Sequence, residues 1–331
     1  MLQRVFFLLL GASLLLPARL WGQEFYQGKT VRIISYSKPG DSYDSWARLL
    51  ARHMPRYVAG NPNMIVENMP GAGGIIAVNE VYNRAAPDGL TLLFPPRHFA
   101  IPQLVGEKSA KYDATKFTYI GSADGVPYIM GIRANHAVKS MSDLRRVADP
   151  VPCSATGKGA TSYDFLALLG WAGFKINLIG GYASKGEQIL AFEKGEVDCV
   201  PGSYSGSFIP LVERKQVRPI VQMGGKIFPE VPDILAVEMS PEAKQVFRVF
   251  SSPLLAGRPV VGPPSIPAEL VKILRQAFNQ AIRDPELVKE AKKQKLKPAP
   301  LSGEEVAKIQ QEILTQPPQV VKAYKAALGI K

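Results

Sequence analysis

The stretch Val31–Arg48, VRIISYSKPGDSYDSWAR, decides how the rest of the chain is read. Val31, Ile33 and Ile34 are strand formers, and Pro39-Gly40 end the strand in a tight turn. Asp41 or Ser42 can cap the helix that follows, whose apolar positions Trp46, Leu49 and Leu50 recur at helical spacing. A strand, turn and helix in this order bring unpaired backbone N–H groups and the positive end of a helix dipole to one sheet edge. Open α/β folds bind small anions at that edge. Taken alone, the stretch is equally an ordinary βα connection with no ligand.

Working outward, the same unit recurs. Met64–Asn68 reads as a second strand, followed by Met69-Pro70-Gly71-Ala72-Gly73-Gly74 and a helix over about 75–85. The glycines permit close backbone approach, but Ile76 stands where a dinucleotide fingerprint needs its last glycine. Leu90–Phe94 is a third strand, closed by Pro95-Pro96-Arg97-His98. Strand and helix thus alternate as in a doubly wound parallel sheet. Phe117–Ser122 and Tyr128–Arg133 read as strands, and a second cycle opens at Val151–Ser154. The loop Thr156-Gly157-Lys158-Gly159-Ala160-Thr161-Ser162 then precedes an apolar helix, Tyr163–Trp171. Further strands fall at 176–182, 197–201 and 217–223, with a helix at 186–194. Phe247–Val261 is expected to be an extended apolar segment crossing between lobes. Three amphipathic helices follow, over 268–283, 285–294 and 303–324.

The full chain has 331 residues, enough for two cores. Residues 1–22 carry Arg4, an apolar run from Val5 to Leu16, and small or helix-breaking residues before Gln23. This is the pattern of a secretory signal peptide, and the run is short for a membrane span. No cysteine follows it, which argues against a lipid anchor, so the expected location is the periplasm. The net charge is +12, of which the leader holds Arg4 and Arg19. Lysines 289, 292, 293, 295 and 297 lie among acids on predicted helices, which reads as a solvated face and not as a nucleic-acid surface. The two cysteines, Cys153 and Cys199, each end a predicted strand. An oxidising compartment permits a disulfide. Adjacent parallel strands seldom suit one, so two buried free thiols are the favoured reading.

Enzyme signatures are missing. The histidines, His53, His98 and His136, have no metal-ligand spacing, and no cofactor is implied. Gly202-Ser203-Tyr204-Ser205-Gly206 holds Tyr204 where a nucleophile elbow needs serine. Two polar glycine-bearing turns remain, one in each half of the chain.

With these turns in hand the sequence resembles the Bug-type receptors, periplasmic solute-binding proteins of tripartite tricarboxylate transporters. The resemblance rests on Pro39-Gly40 with Asp44, Ala47 and Arg48, on Val66–Gly74, and on Ala85–Leu93. Gly157 and Gly159, Tyr182 with Gly195-Glu196-Val197-Asp198, and Pro264–Glu269 extend it over nearly the whole chain beyond the leader. It implies a two-lobed clam-shell fold, each lobe a doubly wound sheet with flanking helices. Lobe 1 would comprise 24–127 and 253–331, and lobe 2 would comprise 128–252. It also implies a small organic acid held between the lobes, delivery to integral-membrane transporter subunits, no enzymatic activity, and a monomer. Alternatives are an exported hydrolase of similar shape and a periplasmic sensor domain.

Carried onto this sequence, the expected ligand residues are Ser37, Gly40, Asp41, Ser42 and Tyr43 of the first turn, and Arg97. From the second lobe they are Gly159, Ala160, Thr161, Ser162 and Tyr204. Asp41 replaces the family's second glycine, and Ala160 its serine or threonine. Asp41 either caps the helix or faces the cleft, where its charge would favour a ligand bearing an amine, amide or hydroxyl. Arg97 or Lys158 would then balance it.

Overall fold

In the computed structural model, which describes residues 25–125, 127–206 and 208–330, the strand β1 (Thr30–Ser35) is buried on both faces. Val31 and Ile33 enter one apolar core and Ile34 the core on the opposite side, as a side-chain period of two dictates. The chain continues through α1 (Ser42–His53), β2 (Asn63–Asn68), α2 (Ile75–Arg84), β3 (Thr91–Phe94), α3 (Ile101–Leu104) and β4 (Thr118–Ser122). It then runs β5 (Tyr128–Arg133), α4 (Met141–Arg146), β6 (Val151–Ser154), α5 (Thr161–Trp171), β7 (Ile176–Ile179), α6 (Lys185–Lys194), β8 (Cys199–Ser203), α7 (Phe208–Glu213) and β9 (Val217–Met223). The last elements are α8 (Pro241–Leu255), β10 (Pro259–Gly262), α9 (Ala268–Ala281), α10 (Pro285–Lys293), β11 (Leu301–Ser302), α11 (Gly303–Leu314) and α12 (Pro318–Leu328).

Two sheets result. The first has the order β11-β4-β10-β3-β1-β2 and the second β7-β6-β8-β5-β9. Each is covered by helices on both faces, so the two-lobed doubly wound architecture is present. Neither sheet is purely parallel. β10 runs antiparallel to β3 and β4, and β5 antiparallel to β8 and β9, because the chain re-enters each sheet after crossing from the other. Among the described residues, no helix is long and apolar enough to cross a membrane. The expected leader, 1–22, lies outside the described residues.

Three local expectations are corrected. Phe247–Val261 is not one extended segment. Ser240 Oγ accepts the Ala243 N–H to cap α8, and Val246, Phe247, Val249, Phe250 and Leu254 bury a helical stripe. Only Pro259–Gly262 is strand. The 303–324 helix is two helices, because Pro317 and Pro318 cannot continue α11 but suit the start of α12. And Cys153 and Cys199 form a disulfide: they are direct register partners on the parallel strands β6 and β8, with Cα atoms 4.4 Å apart. Direct pairing brings the Cα atoms within bonding range, which the general reluctance of parallel strands had concealed.

The segment 253–331 contributes to both cores. α8 is packed in the second sheet's core through Leu254, and α12 joins that core through Val320, Ala323, Tyr324 and Leu328. The chain therefore passes between the sheets three times: after β4, after α8, and between α11 and α12. The first two passages lie side by side. The Ala123 N–H donates to the Arg258 carbonyl at 3.0 Å, and the Arg258 N–H donates to the Asp124 carbonyl at 3.0 Å.

Candidate functional site

A cavity of about 180 Å³ opens between the two sheets. On the first-sheet side it is walled by Ala72 and Gly73 of the glycine loop before α2, and by the segment from Arg97 through α3. The second-sheet side presents Gly159, Thr161 and Asp164 at the start of α5, with the C-terminal turn of α8 and Tyr324 of α12 beside them. Both sides are strand-to-helix connections, which is where a doubly wound sheet exposes unpaired N–H groups.

Arg97 follows β3 through Pro95-Pro96 and is only 6% exposed. Its Nε and its backbone N–H both point to the Tyr43 hydroxyl, at 3.3 and 3.2 Å, and its carbonyl accepts from Gln310 Nε2 at 3.1 Å. A buried guanidinium is thereby fixed in the cavity wall. Next to it, burial and then the Arg97 charge push the His98 imidazole down to about 4, so it is neutral at physiological pH. Across the cavity, Asp164 sits in the first turn of α5 and its Oδ1 accepts the Gly159 N–H at 3.0 Å. Burial pushes its carboxyl up to about 6, against the Gly159 hydrogen bond and the Lys158 charge, which oppose the shift.

Of the expected ligand residues, Arg97, Gly159 and Thr161 line this cavity and the others lie outside its lining. Their positions explain why. Ser37 is buried, with its hydroxyl 3.0 Å from that of Ser35. The Gly40 N–H donates to Asp44 Oδ2 at 2.9 Å, so the turn is closed on its own helix. Asp41 occupies the N-cap position of α1 but its side chain caps no backbone N–H; it is exposed and accepts from Ser42 Oγ at 3.1 Å. Ser42 Oγ also accepts from Arg258 at 2.8 Å, and the Tyr43 ring lies beneath the Arg258 guanidinium, 5.1 Å from its centroid. Ala160 is the N-cap of α5 and brings no capping side chain. Ser162 is buried, accepting the Thr156 N–H at 3.1 Å and lying 3.0 Å from Thr156 Oγ1, so it shapes the loop from behind. Tyr204 packs edge-on against Phe228, 5.2 Å between centroids, and its N–H donates to the Pro127 carbonyl. Lys158 is drawn away to the end of α12, donating to the Gly329 carbonyl at 3.1 Å.

Sequence reasoning missed Asp164, His98 and the apolar wall of α3, α8 and α12. Asp164 had a signal: an acid in the turn after Gly157-Lys158-Gly159 is placed to fold back on the loop's N–H groups. The wall had none, since its helices come from three distant parts of the chain.

His53, Asp284 and Glu286 bring ligand atoms within 4.8 Å of one another. Arg56 already pairs with both carboxylates there, at 2.8 and 2.9 Å, which makes the group an ion-pair cluster tying the chain after α1 to α10.

A MatC protein from Rhodopseudomonas palustris, solved with bound malate, superposes with a TM-score of 0.65 at 22% identity, over 88% of this chain and 99% of that one. A TctC solute binding protein from Polaromonas superposes with a TM-score of 0.69 at 18% identity, over 92% and 99% of the two chains. At these identities the likeness shows the two-lobed binding-protein fold. In sequence, a Cupriavidus necator protein described as "UPF0065 protein in gbd 5'region" is 25% identical over 318 residues, spanning 93% of this chain and 90% of the relative. The pattern of the family described as tripartite tricarboxylate transporter family receptor matches residues 47–325, most of the chain, and the protein belongs to that receptor family.

Proposed function

We propose that this receptor captures a small organic carboxylate in the cavity between its sheets and hands it, unchanged, to the integral-membrane subunits of a tripartite tricarboxylate transporter. The observation that carries the reading is the pairing of a buried guanidinium, Arg97, with the start of α5 across one cavity. The first-turn N–H groups of a helix and a fixed cation together favour an anion. The residues that would hold it are Arg97, Gly159 and Thr161, and the malate in the related MatC is an acid of this class. The protein acts in the periplasm as a monomer after loss of residues 1–22, and closure about the paired passages at Asp124 and Arg258 traps the ligand.

Calorimetric titration of the exported protein with a panel of mono- and dicarboxylates tests this. At least one acid is expected to bind with a 1:1 stoichiometry and to be recovered chemically intact. Arg97→Gln should weaken it ten- to a hundredfold, the loss of about 1.5–3 kcal/mol in a charge-assisted hydrogen bond. Turnover of the bound acid, or full affinity in the variant, contradicts the proposal.

A further inference from the structure

The cavity lining is mixed. Beside Arg97, His98, Thr161 and Asp164 it carries Ile101, Val105, Phe250, Leu254 and Ile330, which form the apolar part of its wall. Its charges are unequal. Among the described lining residues Arg97 is the one cation, because His98 is held neutral, and the same lining carries two carboxylates, Asp164 and Glu107. Glu107 is turned to its own loop, accepting from Ser109 through both N–H and Oγ, while Asp164 stands in the first turn of α5.

We infer that the ligand is an acid with a single carboxylate and an apolar body, in place of a dicarboxylate. The inference rests on the carboxylate-receptor reading above and narrows it. One ligand carboxylate finds Arg97. A second adds to a described lining in which the carboxylates Asp164 and Glu107 already outnumber that cation, and a like charge that finds no cation of its own is costly to bury. An apolar body meets the apolar part of the wall with a gain that grows with the area removed from water. The size agrees: a dry apolar cavity of about 150 Å³ holds a benzene ring, and this one is of about 180 Å³.

The test is a matched pair. Hexanoate and adipate share a six-carbon chain and differ only in whether the far end is a methyl or a carboxylate. They are titrated calorimetrically at pH 7.5, with phenylacetate as a ring-bearing acid. Hexanoate is expected to bind at least about tenfold more tightly than adipate, the scale of one unfavourable charge contact at partly buried distances. Asp164→Asn keeps the shape and the acceptor for Gly159, and should narrow the ratio by tightening adipate while hexanoate stays within about twofold. A hexanoate-to-adipate preference below tenfold, or an unchanged ratio in Asp164→Asn, overturns the inference while the receptor reading stands. If none of these three binds while another acid of the wider panel does, the inference falls and the receptor reading stands; if no acid of the panel binds, both fall.

Discussion

Asp164 and His98 face one cavity and titrate in opposite senses. Asp164 rises from 3.8 to about 6 on burial, so the folded chain holds its proton more tightly than the unfolded one. Its favourable contribution is complete below about pH 4 and is lost as pH rises through about 6. His98 falls from 6.5 to about 4, so its contribution is complete above pH 6.5 and is lost as pH falls through about 4. The two windows overlap and largely cancel in the parent protein, and single variants separate them. Asp164→Asn should stabilise the ligand-free protein above pH 6, by at most about 3 kcal/mol for a shift of this size, with the gain vanishing near pH 4. Urea unfolding at pH 4.5, 6 and 7.5 measures it. A gain that does not depend on pH would show that Asp164 is not titrating in this window. Neither group's environment was legible in the sequence, since burial of a loop residue is decided by what packs over it. The first-turn residues show the same limit. Gly40, Ser42 and Tyr43 were visible as a turn, yet their hydrogen bonds go to Asp44, Arg258 and Arg97, which no local pattern names.

At the scale of elements, periodicity located the sheets well. Each strand of the two βα cycles falls near its expected place because alternating or continuous apolar runs bounded by glycine and proline are local signals. The passages between the sheets were harder. Asp124 and Arg258 are both almost fully buried and form an ion pair although 134 residues separate them. Trp46 Nε1 donates to the same Asp124 carboxylate at 2.8 Å, joining α1 to the crossing. Asp124→Ala removes the partner of a buried guanidinium and should cost about 3–5 kcal/mol of stability. Gly257 lies within the second passage at φ +62°, and a Cβ there would stand 1.5 Å from the Asp124 carbonyl oxygen. Gly257→Ala must therefore move one passage against the other and should cost at least about 2 kcal/mol. Guanidinium unfolding of both variants checks this pair of values. Parent-like midpoints would mean that the passages are loose and do not act as one hinge.

The whole molecule is two doubly wound units sharing a chain that changes sides three times, and its last helix packs in the core of the second sheet. The amphipathic pattern of 318–328 was legible, but amphipathicity states only that a face is buried, not against which sheet. Here Val320, Tyr324 and Leu328 complete the core containing Phe165 and Phe247, and Lys158 holds the helix end through Gly329. Burying three large side chains contributes about 5–9 kcal/mol at about 1.5–3 kcal/mol each, a large fraction of the 5–15 kcal/mol typical of a whole domain. A chain ending at Gln316 should thus lose order in the second sheet alone. Hydrogen exchange followed by mass spectrometry is expected to show β6, α5 and β8 losing protection while β1, α1 and β3 keep theirs, because the first sheet's cores draw nothing from α12. Carboxylate binding should disappear with the second sheet, since Gly159, Thr161 and Asp164 are carried by α5 and the loop before it. Equal protection in both sheets of the shortened chain would mean that α12 is an accessory to the second core and that the cavity does not depend on it.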